Sequence, residues 1–299
     1  MNLWQEYLRP TNLSQALKAF VEASDPILPI AGGTDLLLDL EQGRHSPVYT
    51  LLDVTSIEEM TALEVRGEEL FVGAAVPVNR IVLDPIAGTH AEALTEACNL
   101  IAGPQVRNVA TLGGNVAHAL PAADGTIALL ALNAQAEVAS APAAVHGGVN
   151  TRRVPFKELF LGPGKSSLKH GQELLVGFYV PLSKAGQASC FQRIMRPQGV
   201  ALPIINLAIW LERTANVISQ IRIAVGPGGP TPWSGIKAEK ALIGKPLNDE
   251  TFNTALEALL AEVGFRSSAR RASADYRRRI VTGLFKDVLE TAWKRAEQD

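Results

Sequence analysis

The chain is poor in cysteine and its histidines show no metal-binding spacing. Its 299 residues include two cysteines, Cys98 and Cys190, and five histidines without an H-x-x-x-H pattern. An iron–sulfur cluster or a structural zinc usually takes four side-chain ligands from one chain. The sequence therefore predicts that this chain houses neither.

The chain also lacks an excess of charge of one sign. Lysine and arginine total 28 against 30 aspartates and glutamates, a formal net charge of −2. Non-specific nucleic-acid binding needs clustered positive charge, so nucleic acid is not an expected partner. The longest apolar run, residues 201–211, is interrupted by Pro203 and Asn206 and is too short to cross a bilayer. No secretory signal opens the sequence, and we expect a cytoplasmic protein.

Signatures of common catalytic sites are missing as well. Neither a G-x-S-x-G nucleophile motif nor a G-x-G-x-x-G dinucleotide fingerprint occurs. The segment Gly164-Lys165-Ser166 is similar to the end of a phosphate-binding P-loop, but Leu159 stands where that motif requires its first glycine. With no acid, base or nucleophile indicated, the pattern favours redox chemistry performed by a bound cofactor.

Hydrophobic periodicity predicts a mixed α+β chain. Its first part is predicted as a small αβαβ unit, with helices over residues 13–21 and 36–40 and strands over 26–30 and 49–54. The middle part is predicted to contain a hairpin over 62–66 and 69–74, helices over 91–100 and 126–132, strands over 136–139, 151–154 and 173–180, and a loop over 140–150.

A domain boundary is predicted near Pro181, because a linker over residues 182–187 follows the last strand of the middle part. Behind the linker, the pattern predicts strands over 188–195, 204–211 and 217–225, and then only helices. The last helix keeps an apolar face from Tyr276 to Trp293. Strands followed by helices favour an α+β unit.

Two short segments each carry a Gly-Gly pair that is preceded or followed by a threonine within two residues. We name Ala31-Gly32-Gly33-Thr34-Asp35 the first glycine segment and Thr111-Leu112-Gly113-Gly114-Asn115 the second glycine segment. Glycine pairs let successive backbone amides approach an anion closely, and two such segments meeting at one pyrophosphate would need little positive charge. The alternative is that the glycines only fill turn positions.

Two aspartates follow small residues at expected helix starts. Asp35 and Asp124 are each predicted either to cap a helix or place a charge in its first turn, or to accept hydrogen bonds from sugar hydroxyls of a dinucleotide-like cofactor. The sequence leaves both roles open.

Several motifs together resemble the FAD-binding subunit of the molybdenum hydroxylases, the family of xanthine dehydrogenase, carbon monoxide dehydrogenase and aldehyde oxidoreductase. They occur in the family's order over essentially the whole chain. These motifs are A-G-G-T-D-L-L at 31–37, G-P-Q-V-R-N-V-A-T-L-G-G-N at 103–115, P-A-A-D at 121–124, the run 160–165, I-R-I-A-V-G at 221–226 and Y-R-R at 276–278.

The resemblance implies an α+β fold of the vanillyl-alcohol oxidase and p-cresol hydroxylase type. Two FAD-binding subdomains would span residues 1–55 and 56–181, and a C-terminal domain of a small antiparallel sheet with helices would span 187–299. It also implies non-covalent FAD, with roles for two groups of residues. The pyrophosphate would contact Ala31, Gly32, Gly33, Thr34, Asp35, Thr111, Gly113, Gly114 and Asn115; Asp124 would bind the sugar alcohol, and Lys165 would lie near the flavin or the adenosine.

The resemblance further implies an electron-transfer role inside a heterotrimer or its dimer. A large molybdenum–pterin subunit would hydroxylate the substrate, and a small subunit with two [2Fe–2S] clusters would pass electrons to FAD and on to NAD or another acceptor. The low cysteine count disfavours the subgroup whose flavin subunit carries an extra [4Fe–4S] cluster. Two other functions remain open: a self-sufficient flavin oxidoreductase on the same fold, and a non-catalytic nucleotide-binding or scaffold protein.

Overall fold

The computed structural model describes residues 3–141, 148–196, 202–269 and 271–298. The predicted loop over 140–150 therefore lies partly outside the described residues. Mixed helix and sheet run through the whole chain, and the predicted α+β class is confirmed. We keep the domain boundaries at residues 55, 181 and 187 as predictions.

The first unit is a three-stranded parallel sheet crossed by two helices. Its elements are β1 (Glu6–Leu8), α1 (Leu13–Glu22), β2 (Ile27–Ile30), α2 (Leu36–Glu41) and β3 (Thr50–Asp53), and the strand order is β1-β3-β2. The Asn12 side chain accepts a hydrogen bond from the Gln15 amide at 2.9 Å and so caps α1. The αβαβ prediction is confirmed, except that β1 was not predicted.

The second unit is a five-stranded antiparallel sheet covered by short helices. The strand order is β4-β5-β10-β6-β7, and β8 and β9 form a separate hairpin. The elements are α3 (Glu58–Thr61), β4 (Leu63–Arg66), β5 (Glu69–Gly73), α4 (Val78–Leu83), α5 (Pro85–His90), α6 (Glu92–Leu100), α7 (Pro104–Arg107), α8 (Leu112–Ala117), α9 (Asp124–Ala131), β6 (Gln135–Ser140), β7 (Asn150–Pro155), a 3₁₀ helix (Phe156–Leu159), β8 (Phe160–Gly162), β9 (Lys165–Ser166) and β10 (Glu173–Pro181).

The third unit is a four-stranded antiparallel sheet with three helices on one face. Its elements are β11 (Gln187–Ile194), β12 (Ile205–Thr214), β13 (Val217–Gly226), β14 (Trp233–Ser234), α10 (Ile236–Leu242), α11 (Asp249–Glu262) and α12 (Ala274–Gln298). The long last helix is confirmed. The short strand β14 corrects the expectation that only helices follow β13.

Strand β12 is buried on both faces and joins the third unit to the second. Ile205, Leu207 and Ile209 belong to the core shared with the helices of the third unit. On the opposite face, Ala208 and Trp210 belong to the core of the second unit. Side chains alternate between the two faces of a strand, so this sheet is the wall between the two cores. Helix α9 packs directly on that wall, against β12 and β13.

Candidate cofactor site

A deep cleft of about 830 Å³ lies where the three units meet. Its volume falls within the range of about 300–1,000 Å³ that is usual for cofactor sites. Of the predicted site residues, all except Lys165 line it. These lining residues are Ala31, Gly32, Gly33, Thr34, Asp35, Thr111, Gly113, Gly114, Asn115 and Asp124.

The first glycine segment follows β2 at the carboxyl end of the parallel sheet, where ligands of such sheets usually bind. Gly33 adopts a φ of +69°, a backbone conformation that favours glycine. A Cβ atom on Gly32 would overlap with the carbonyl oxygen of Val109. The first glycine segment therefore touches the chain just ahead of the second one, and both segments meet at one cleft.

The amides of the first glycine segment are available to a ligand. Within the described ranges, the amide groups of residues 32–36 donate no hydrogen bond. The segment's own helix starts only with the bond from the Leu37 amide to the Gly33 carbonyl oxygen, at 3.0 Å. A run of unpaired N–H groups that faces a cleft is the arrangement that binds phosphate oxygens without a charged side chain.

The second glycine segment differs from its prediction, because it is the start of a helix rather than an open loop. Thr111 caps α8, and its Oγ1 accepts a hydrogen bond from the Gly114 amide at 3.1 Å. Three further amides of the segment also have acceptors: Leu112 donates to Val76 O, Gly113 to Ala74 O and Asn115 to Thr111 O. The expectation that both segments present free amides is therefore corrected.

The two glycines of the second segment have different surroundings. A Cβ atom on Gly113 would lie 2.5 Å from the Cβ of Ala74, so this glycine permits close packing of α8 on the middle unit. A Cβ atom on Gly114 would meet only the Thr111 Oγ1, at 3.2 Å. Gly114 thus keeps space open in the cleft itself.

Asp124 is nearly fully buried, with 4% of its surface exposed. It is the first residue of α9, so its charge lies in the first turn, which was one of the predicted roles, but it makes no capping hydrogen bond. Arg193 Nη1 donates to its Oδ2, and Asn206 Nδ2 donates to its Oδ1 at 2.7 Å. Burial raises the pKa of Asp124, while the charge of Arg193 and the hydrogen bond of Asn206 act in the opposite direction.

Buried polar atoms without partners surround this carboxylate. Among the described residues, Arg193 Nε, Asn206 Oδ1 and Asn115 Oδ1 are buried and have no hydrogen-bond partner. Leaving such an atom unpaired costs about 1–3 kcal/mol. Of these three residues, Arg193 and Asn115 line the cleft together with Asp124. This side of the cleft is therefore suited to the hydroxyl groups of a bound ligand, which both donate and accept hydrogen bonds.

The predicted site side chains of Asp35 and Lys165 are exposed. Asp35 precedes α2 without capping it through its side chain, and it lines the cleft. Lys165 is exposed in the β8–β9 hairpin between the lining residues Gly164 and Ser166, but does not itself line the cleft. Gly164 has a φ of +69° at the turn of this hairpin, and the Gly-Lys-Ser sequence leads into strand β9 rather than into a helix, so it is not a P-loop.

Sequence reasoning missed Arg193, which reaches the cleft from β11. Its only sequence signal is that it is the one charged residue of β11. It also missed His45, His118 and His170, which line the cleft but follow no motif. The spacing of scattered histidines carries no information about a surface that folding assembles from distant segments.

Both cysteines are buried and free. Burial raises the pKa of the Cys98 thiol, and burial with the nearby Glu96 raises the pKa of Cys190 to about 12. Neither thiol is therefore an activated nucleophile. Among the described residues, no group of three or more histidine, cysteine, aspartate or glutamate side chains is arranged to hold a metal.

Two family descriptions together match nearly the whole chain. Residues 3–183 match the family described as "FAD binding domain in molybdopterin dehydrogenase", and residues 189–292 match "CO dehydrogenase flavoprotein C-terminal domain". In the part of the chain that the structure describes, no helix is both long and apolar enough to cross a membrane.

Individual relatives agree with these matches. The chain is 30% identical to the xanthine dehydrogenase FAD-binding subunit of Escherichia coli O157:H7, over 96% of this chain and 95% of that protein. It is 31% identical to the glyceraldehyde dehydrogenase medium chain of Sulfolobus acidocaldarius, over 94% of this chain and 97% of that protein. Its structure superposes on carbon monoxide dehydrogenase from Hydrogenophaga pseudoflava with a TM-score of 0.89, 28% identity and coverage of 97% and 98%. The chain therefore belongs to the FAD-binding subunits of the molybdenum hydroxylases, a family of oxidoreductases.

Proposed function

We propose that this chain is the electron-transfer subunit of a molybdenum hydroxylase complex. It would receive electrons from the [2Fe–2S] clusters of a small partner subunit and pass them through FAD to NAD or another acceptor. A large molybdenum–pterin subunit would oxidise the organic substrate. The observation that carries this proposal is the cleft in which free amides of the first glycine segment and the buried Asp124 face one space.

The residues of the cleft fit FAD, and we assign them as follows. The unpaired amides of residues 32–36 would bind the pyrophosphate, and Gly114 would leave room for it. Asp124, with Asn115 and Arg193 beside it in the cleft wall, would bind the sugar alcohol. Bound FAD supplies the redox chemistry, because a flavin exchanges electrons both singly and in pairs. Lys165 is exposed beside the cleft, and we keep its role near the cofactor as a prediction.

The names of the relatives support the proposed partners. Several relatives are named medium chains or medium subunits, including those of glyceraldehyde dehydrogenase, carbon monoxide dehydrogenase and nicotine 6-hydroxylase. We infer that this chain also occupies the medium position of a three-subunit complex. NAD as final acceptor and a cytoplasmic location remain predictions.

The test is FAD binding followed by electron transfer in the assembled complex. The purified full-length chain should bind one FAD, and quenching of flavin fluorescence measures this binding. A native pull-down should recover partner chains that contain molybdenum and iron. If the chain takes up no FAD, the proposal fails and the non-catalytic scaffold function is favoured. A chain that binds FAD and oxidises a substrate without partners would instead be the self-sufficient oxidoreductase.

A further inference from the structure

Three residues of the C-terminal sheet form a row that faces Asp124. Arg193 of β11 lies directly opposite Asn206 of β12, and Asn206 lies opposite Gly226 of β13. Residues directly opposite each other on neighbouring strands project their side chains from the same face of the sheet. This face is the one against which α9 packs.

The row holds Asp124 and the backbone before it by several bonds. Arg193 and Asn206 each bind one carboxylate oxygen, and the Asn206 Nδ2 also donates to the Ala122 carbonyl oxygen at 3.1 Å. A Cβ atom on Gly226 would overlap with the Asn206 Oδ1, so the missing side chain at this position leaves space for the amide group. All three residues of the row therefore contribute to the contact between the sheet and the start of α9.

Arg193 provides the one full positive charge in this contact. Only 6% of its side chain and 5% of the Asp124 side chain are exposed, so the ion pair is removed from water. The second terminal nitrogen of Arg193 contacts the sulfur of Met195, which is a weak acceptor. An isolated carboxylate at this depth would take up a proton rather than remain charged. The charge and orientation of Asp124 thus depend on a residue of another unit.

We propose that Arg193 is a positioning residue for the cofactor: it holds the Asp124 carboxylate, ionised and correctly oriented, at the cleft wall. This inference rests on the proposed function, because it assumes that Asp124 binds FAD hydroxyl groups. Cofactor binding by the N-terminal units then requires contact with the C-terminal sheet. Arg193 acts through Asp124, and the two residues form one functional unit.

The experiment compares FAD dissociation constants of full-length variants by fluorescence titration, with melting temperatures measured on the same samples. Arg193→Met should weaken FAD binding at least tenfold, and so should Asp124→Asn. The double variant should bind no more weakly than Asp124→Asn alone, because Arg193 has no effect once its partner is uncharged. Losses that multiply in the double variant would show that Arg193 does not act through Asp124 and would overturn the proposal.

A conservative variant and a control complete the test. Arg193→Lys keeps the positive charge, but it lacks the rigid, planar guanidinium group that directs Nη1 to Oδ2 of Asp124. It should therefore weaken FAD binding three- to tenfold. Arg213→Met removes another arginine of the same domain, which is paired with Glu297 and does not line the cleft; it should leave FAD affinity within twofold of the unmodified chain. A folded Arg193→Lys with unchanged affinity would refute the positioning role. Failure of the unmodified chain to bind FAD would refute the proposed function instead.

Discussion

The two glycine segments look alike in sequence but differ in what their backbone can do. The first glycine segment leaves the amides of residues 32–36 unpaired within the described chain, whereas the second donates its amides to Ala74, Val76 and the Thr111 cap. The first glycine segment can therefore bind an anion through its amides. The second glycine segment instead forms part of the cleft wall, with open space beside Gly114. The comparison teaches that a Gly-Gly pair indicates close approach of some group, but not which group approaches.

The largest expected effect is at Gly32, where the first glycine segment touches Val109. A Cβ atom would overlap with the Val109 carbonyl oxygen, so Gly32→Ala should lower the free energy of unfolding by about 3 kcal/mol and abolish stoichiometric FAD binding. Chemical denaturation and flavin fluorescence measure the two effects. Gly88→Ala is the control, because a Cβ atom there meets nothing within 4 Å. A Gly32→Ala chain as stable as this control would disprove the contact between the first glycine segment and Val109.

Gly114→Val should separate cofactor binding from folding. Its Cβ atom has only the Thr111 Oγ1 nearby, so the chain should fold, but the side chain would occupy the space of the phosphate and weaken FAD binding at least a hundredfold. Gly113→Ala is the opposite case, since its Cβ atom meets the backbone of Ala74 and should destabilise the fold. Stoichiometric flavin retained by Gly114→Val would refute the role of the second glycine segment as a cleft wall.

Thr111→Val removes the cap of α8 while keeping the shape of the side chain. The Gly114 amide loses its acceptor, which should cost about 1 kcal/mol of unfolding free energy. FAD affinity should fall less than tenfold, because the wall remains in place. Urea denaturation gives the first quantity and fluorescence titration the second. A hundredfold loss of affinity with unchanged stability would mean that Thr111 binds the cofactor directly.

Asp35→Ala should give the smallest effect. The side chain is exposed and makes no capping bond, so the melting temperature should change by no more than about 1 °C, which corresponds to a small fraction of a kcal/mol. Loss of one hydrogen bond to a cofactor hydroxyl group should weaken FAD binding three- to tenfold. A lower melting temperature with unchanged FAD affinity would show that Asp35 stabilises the fold and does not bind the cofactor.

Local patterns predicted most elements of the fold. Apolar spacing indicated α1 and α12, because this signal repeats every few residues along the chain. Strands β1 and β14 were missed, since three- and two-residue strands carry almost no periodicity. The helix at Leu112–Ala117 was missed because its glycines suggest a turn, whereas the Thr111 cap and contacts with Ala74 stabilise a helix there.

The candidate site was predictable only where its residues form continuous motifs. The first glycine segment and Asp124 each belong to such a run. Arg193 and Asn206 were missed as site residues because they reach Asp124 across 69 and 82 positions of the chain. Their pairing depends on the register of β11 with β12 and on the packing of α9, neither of which a single sequence determines locally.

Amide hydrogen exchange, resolved to single residues with and without FAD, tests the contrast between the glycine segments most directly. Amides 32–36 should exchange rapidly in the free chain and at least tenfold more slowly with FAD bound, because the pyrophosphate becomes their acceptor. Amides 112–115 already have acceptors and should exchange slowly in both states. Unchanged exchange at 32–36 under saturating FAD would contradict the account.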